Sequence, residues 1–142
     1  VMVALRWNPK PNRFGIPGQI VTDATRGAGE GSHATLSEFD VHNTLIAAGP
    51  DFRRAMISEL PSANIDLAPT VLRLLGLEAS HKFDGRILSE AMIGDSPPPR
   101  AVTETLAVTR KFPSGQWRQH LRISRVGETT YIDEGNGAFD ER

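Results

Sequence analysis

Asn43-Thr44-Leu45-Ile46-Ala47-Ala48-Gly49-Pro50 is the stretch on which the fold class turns. It is a continuous apolar run closed by a Gly-Pro stop. A strand half exposed to water alternates polar and apolar positions; an unbroken run marks one buried on both faces. Such a strand needs helices above and below it, so the run predicts an α/β fold.

The neighbouring segments fit that expectation. Residues 64–77 form the clearest helix: Asp66 can cap the free N–H groups, Pro69 falls in the first turn where a missing donor costs nothing, and Gly76 can end it. Leu67, Val71, Leu74 and Leu75 recur at helical spacing and predict one apolar face packed on the sheet. Asp84-Gly85 reads as a turn into a second short helix over 87–93, with Ile87, Leu88, Ala91 and Met92 inward. Pro97-Pro98-Pro99 then stops regular structure.

Upstream, Val1-Met2-Val3-Ala4-Leu5 reads as a buried strand that begins without a leader, as if cut from a longer chain. A Pro-, Gly- and Asn-dense loop over 7–18 and a short strand near Ile20 follow. Gly27, Gly29 and Gly31 alternate before Ser32-His33, giving backbone that can approach a ligand closely. Downstream of the prolines the texture changes to alternating and β-branched residues, with Gly127-Glu128 as a hairpin turn and a polar, Gly-rich tail from Asp133 expected to fray. The expected organisation is an α/β domain over 1–95, a Pro-rich linker over 96–100 and a small antiparallel β region over 101–142.

Sixteen basic and 17 acidic residues leave a net charge of −1, so no long-range field draws the chain to a nucleic-acid polymer or an anionic membrane. Its apolar runs fall well short of the roughly 20 residues of a membrane-spanning helix. The absence of cysteine excludes thiolate metal sites and cysteine nucleophiles but fits either redox compartment, so periplasmic, secreted and internal locations all stay open.

Of the histidines His33, His42, His81 and His120, only His33 sits in a plausible ligand loop, after the glycines and shortly before the apolar run. Here the residues carry a family resemblance. Gly31-Ser32-His33-Ala34-Thr35-Leu36-Ser37, followed by Asp40-Val41-His42-Asn43 and the run through Gly49-Pro50-Asp51-Phe52, is similar to the late Gly-x-His-Gly…Gly-Pro-x-Phe segment of the alkaline phosphatase superfamily. Its type I phosphodiesterases, nucleotide pyrophosphatases and sulfatases are the members meant. Asn64-Ile65-Asp66-Leu67-Ala68-Pro69-Thr70-Val71-Leu72, with Leu75-Gly76-Leu77 and Asp84-Gly85-Arg86, resembles that superfamily's C-terminal Asp-x-x-Pro-Thr-x-Leu…Gly…Asp-Gly signature. The likeness spans residues 2–92, and Ala34 stands where the family has Gly.

The resemblance implies part of an alkaline-phosphatase-like sandwich, a sheet covered by helices, with the β region appended. It also implies a metal-dependent hydrolase of phosphate or sulfate esters holding two divalent ions, commonly zinc. His33 would be a metal ligand, while the nucleophile and the remaining ligands would lie upstream of Val1, leaving this segment inactive alone. Paired cations suit that chemistry because they stabilise the entering and leaving oxygens of the transferred group. The small-molecule ester and the upstream part of the enzyme are the implied partners.

His42, Asp40 and Asn43 are expected to serve the chain's own structure, Asp66 and Asp84 to cap and turn, and His81 and His120 to face solvent. Arg13 and Arg26 stand near enough to the loop to meet an anion, and Asp23 to reach a second shell or the substrate, although a turn role for Asp23 is at least as well supported. The alternative reading is a non-catalytic binding or structural domain built on the same fold.

Overall fold

Residues 6–20, 35–94 and 97–141 of the computed structural model are described here, and strand dominates them. The longest elements are β3 (Ala101–Phe112), β4 (Gly115–Val126) and β5 (Thr129–Glu141). Their β-branched, alternating sequences favour pleated backbone. Pro113-Ser114 joins β3 to β4, and Gly127-Glu128 joins β4 to β5. Connections that short fit only antiparallel neighbours. Gly127 supplies the positive φ of 59° that the second turn requires. The strand order is β3-β4-β5, and the Thr103 and Ser124 hydroxyls, 3.0 Å apart, lock the first pair in register.

Contacts divide the chain into two units, each drawing on parts of this sheet. The first comprises Val1–Thr44, Glu104–Ile123 and Ile132–Arg142. Within it β1 (Trp7–Asn8) pairs antiparallel with β2 (Gln19–Ile20), Trp7 opposite Ile20. Buried Trp7 anchors this ladder: its indole N–H donates to the Gly135 carbonyl at 2.9 Å, and Phe39 meets its ring edge-on at 5.9 Å. Asn136 imitates a neighbouring strand, its Oδ1 accepting from the Trp7 N–H at 3.2 Å and its Nδ2 donating to the Trp7 carbonyl at 2.9 Å. The short helix α1 (Glu38–Val41) starts where the Ser37 hydroxyl accepts from the Phe39 N–H.

The second unit comprises Leu45–Thr103 and Ser124–Tyr131. A 3-10 turn, Asn64–Asp66, runs into α2 (Leu67–Leu74). Gly76, at φ 66°, ends α2. Its N–H donates to Arg73 O at 3.2 Å and the Leu77 N–H to Leu72 O at 3.0 Å, so two orphan carbonyls of the last turn are satisfied. A second 3-10 turn, Ser89–Ala91, follows, and Phe52 bridges to Met92.

The α/β expectation is overturned. The described sheets are a two-stranded ladder and a three-stranded antiparallel meander, with one four-residue and one eight-residue α-helix, so there is no helix-covered sandwich among them. Residues 43–50 are not a strand but an exposed segment without regular structure, with Ile46 85% exposed. An apolar run measures how much a segment gains by burial, whereas a strand also needs a ladder partner, and this run has none among the described residues. The helix at 64–77 exists, but Leu67, Val71 and Leu75 point to solvent while Asp66, Pro69 and Thr70 are buried. The helix expected over 87–93 shrinks to the single 3-10 turn. The tail from Asp133 is not frayed: it completes β5 through Glu141, with Gly135 and Gly137 lying against Leu36 and Trp117 where a side chain would collide. The strand expected at 1–5 lies outside the described residues.

Candidate functional site

The densest polar constellation belongs to the second unit, and Asp66 is its centre. This carboxylate is fully buried. Its Oδ1 accepts from the Arg86 N–H at 2.8 Å and its Oδ2 from the Ala63 N–H at 2.8 Å, while the Tyr131 hydroxyl lies 3.1 and 3.0 Å from the two oxygens. Although Asp66 stands at the start of α2, its side chain makes no cap bond to the helix. It ties three separate stretches of chain together instead.

The Tyr131 oxygen in turn accepts from Arg86 Nε at 3.0 Å. The guanidinium then forks onto Glu90, with Nη1 to Oε2 at 2.7 Å and Nη2 to Oε1 at 2.6 Å, and Nη2 also donates to the Pro61 carbonyl at 3.0 Å. A planar guanidinium, with five N–H donors in a fixed fork, can grip the carboxylate through two bonds and still serve a phenol and a carbonyl. Arg86 and Glu90 are four residues apart, Arg86 outside any helix and Glu90 within the Ser89–Ala91 3-10 turn, and both are largely shielded from solvent. Thr70 closes the arrangement by accepting from the Leu88 N–H at 3.0 Å.

The electrostatics follow from this geometry. Burial works against ionisation of Glu90, but the hydrogen bonds and charge of Arg86 outweigh it and hold the carboxyl below its ordinary value. Burial first, opposed by the Arg86 charge and reinforced by bonding to Asp66, pushes the Tyr131 phenol up to about 12. No buried side-chain nitrogen or oxygen among the described residues lacks a partner. Satisfied throughout, the cluster is suited to holding a structure and offers no poised nucleophile.

A cavity of about 470 Å³ opens beside it, walled by Phe83, Gly85, Arg86, Ser89, Pro99 and Thr129. Lys82 and Glu128 also line it and form an ion pair at 2.7 Å with both side chains in solvent.

The residues singled out from sequence fall as follows. His33, Asp23, Arg26 and Ala34 lie outside the described residues. The Thr35 hydroxyl donates to Asp40 Oδ2 at 2.5 Å and Asn43 Nδ2 to the Asp40 carbonyl at 3.0 Å, which makes Asp40 a local brace for α1. His42 follows α1, exposed. His81 is exposed, its ring tilted at 46° to that of Phe83 with centroids 4.7 Å apart, and His120 sits 3.9 Å from Glu134. Arg13 lies over the Phe14 ring. Among the described residues no three His, Cys, Asp or Glu side chains converge to hold a metal ion.

Glu90 and Tyr131 are not among the residues the sequence singles out, and Arg86 enters there only at the end of the Asp84-Gly85-Arg86 block. The opposite charges at positions 86 and 90 were a visible signal. Nothing local announced Tyr131, whose partner Asp66 is 65 residues away.

No protein-family model, no curated protein and no solved structure matches the chain. Among the described residues no helix is long and apolar enough to cross a membrane.

Proposed function

We propose that the chain is a segment of a metal-dependent hydrolase of phosphate or sulfate esters, in which it supplies His33 as a metal ligand and a rigid polar clamp, and is inactive by itself. One observation carries the reading. The two blocks that form the C-terminal signature of the resemblance, the Asp66-Pro69-Thr70 block and the Asp84-Gly85-Arg86 block, are joined directly: Asp66 accepts from the Arg86 N–H and Thr70 from the Leu88 N–H. That the two blocks bond to each other supports taking them together.

In such an enzyme a pair of divalent ions supplies charge stabilisation for the transferred group. The ligand this chain would supply to those ions is His33. A fully satisfied cluster is also what a non-catalytic module would contain, and the same experiment separates the two readings.

The test compares this chain with a longer product that includes the coding sequence upstream of Val1. Zinc titration of the chain alone is expected to give weak or absent binding and no turnover of a phosphodiester, a phosphomonoester or a sulfate ester. The longer product is expected to hold metal and turn over one of the three, and His33→Ala to lower that rate by at least ~10²-fold, as expected when a ligand is removed. Tight stoichiometric zinc binding by the chain that survives His33→Ala overturns the proposal, as does a longer product that hydrolyses none of the esters.

A further inference from the structure

Strand β3 is an edge: β4 pairs along one side of it, and among the described residues nothing pairs along the other. It is 12 residues long and exposed at every position, with apolar Leu106 at 45% and Val108 at 61% exposure. A long exposed edge is a template for a further strand, and proteins restrict it by placing charges that penalise unwanted pairings. The charges on β3 do more than repel.

Two copies of one strand can pair edge to edge and antiparallel only about a two-fold axis perpendicular to the sheet. That operation keeps each face of the sheet on its own side, so even-numbered residues must meet even-numbered residues. Around the middle of β3 three registers satisfy this. Centred on Leu106, Glu104 faces Val108 and Val102 faces Arg110. Centred on Val108, Arg110 faces Leu106 and Glu104 faces Phe112. Both registers set a charge against an apolar side chain. Centred on Ala107, Glu104 faces Arg110, Leu106 faces Val108, Val102 faces Phe112 and Thr105 faces Thr109. Directly opposed side chains of opposite charge or matching apolar character are the pairs that stabilise antiparallel sheets.

We propose that β3 is the interface for a second copy of this chain, paired antiparallel about Ala107 so that two three-stranded sheets become one six-stranded sheet. The occupant is identified by this self-complementarity, which holds for the pairs 104/110, 106/108, 102/112 and 105/109 and leaves Lys111 opposite the neutral Thr103. The proposal does not depend on the hydrolase reading.

The test is the oligomeric state of the 142-residue chain by sedimentation equilibrium over a wide range of micromolar concentrations, with charge reversal and cysteine scanning. The wild-type chain is expected at twice its 15.5 kDa. Glu104→Arg and Arg110→Glu each create two like-charge pairs per interface and are expected to weaken the dimer at least ~10-fold. The double variant carrying both changes restores complementarity and is expected to dimerise again, which also shows that the substitutions leave the fold intact. An equimolar mixture of the two single variants is expected to form a heterodimer.

Because the chain has no cysteine, Ala107→Cys provides a single thiol. On the axis it meets its own copy at a Cα separation of about 4.5–5.5 Å, within disulfide range, and is expected to cross-link on mild oxidation. Thr105→Cys lies about 14 Å from its own copy along the strand and is expected not to. A wild-type monomer at all concentrations assigns the edge to a different occupant and overturns the proposal. A double variant as weak as the single ones, or cross-linking of Thr105→Cys as fast as Ala107→Cys, overturns it equally.

Discussion

Gly85 lies so close to the backbone at Ile65 that a Cβ added to it would stand 2.1 Å from the Ile65 carbonyl oxygen and 2.8 Å from the Asp66 nitrogen. The neighbours are main chain and cannot swing aside. Gly85→Ala must therefore push apart the two segments that Asp66 joins. The expected loss is roughly 2–3 kcal/mol, the upper part of the range for overpacking, read as a lower urea midpoint with an unchanged m-value.

The Arg86 side chain serves Glu90, Tyr131 and the Pro61 and Ile87 carbonyls, and its loss would leave the Glu90 carboxylate buried without a counter-charge. Arg86→Ala is expected to cost about 3–5 kcal/mol, the scale of a broken buried pair. Arg86→Lys keeps the charge but loses the fork, and denaturation of both variants should place it between Arg86→Ala and wild type.

Tyr131 is the chain's single tyrosine, so its ionisation can be followed by tyrosinate absorbance without interference. In the folded state it is expected to titrate near pH 12, and in urea near the ordinary value of about 10. A folded value above the unfolded one means that the native state holds the proton more tightly. The corresponding stability is fully present below about pH 10 and is lost as pH rises through the folded value. Tyr131→Phe is expected to remove that part of the alkaline loss.

Glu90 gives the opposite dependence. Burial opposes its charge, Arg86 more than restores it, and the folded carboxyl titrates below its unfolded value. Its contribution is present above the unfolded value of about 4.3 and disappears as pH falls through the depressed one. Chemical denaturation of Glu90→Gln at several acid pH values should show a shallower loss than wild type.

Asn136 holds both the N–H and the carbonyl of Trp7. Asn136→Ala leaves both unserved and is expected to cost about 1–3 kcal/mol. Loosening of the Trp7 ring should appear as a red shift in tryptophan emission.

What could be read from the sequence was local. Pro69 and Gly76 framed α2 because each fixes backbone geometry where it stands, and Gly127 marked the second hairpin for the same reason. The segment at 43–50 was misread because apolar content does not reveal whether a ladder partner exists. The apolar stripe of α2 predicted the wrong inner face, since the buried side carries Asp66 and Thr70, whose partners Tyr131 and Leu88 come from distant positions. The tail was misread because Gly135 and Gly137, which look like signs of disorder, are required by the close approach of Leu36 and Trp117. For the candidate site, the blocks containing Asp66 and Gly85 were visible, while the phenol and guanidinium that connect them were not.

The bond between Asp66 and Tyr131 also has a kinetic meaning. Its donor and acceptor are 65 residues apart, so a large loop must close, and β5 must already be placed, before it can form. An interaction completed after the rate-limiting barrier hardly affects how fast the chain folds; it governs how long the folded state survives. Tyr131→Phe, which removes this bond, is therefore expected to raise the unfolding rate while leaving the refolding rate nearly unchanged, as stopped-flow unfolding and refolding would read.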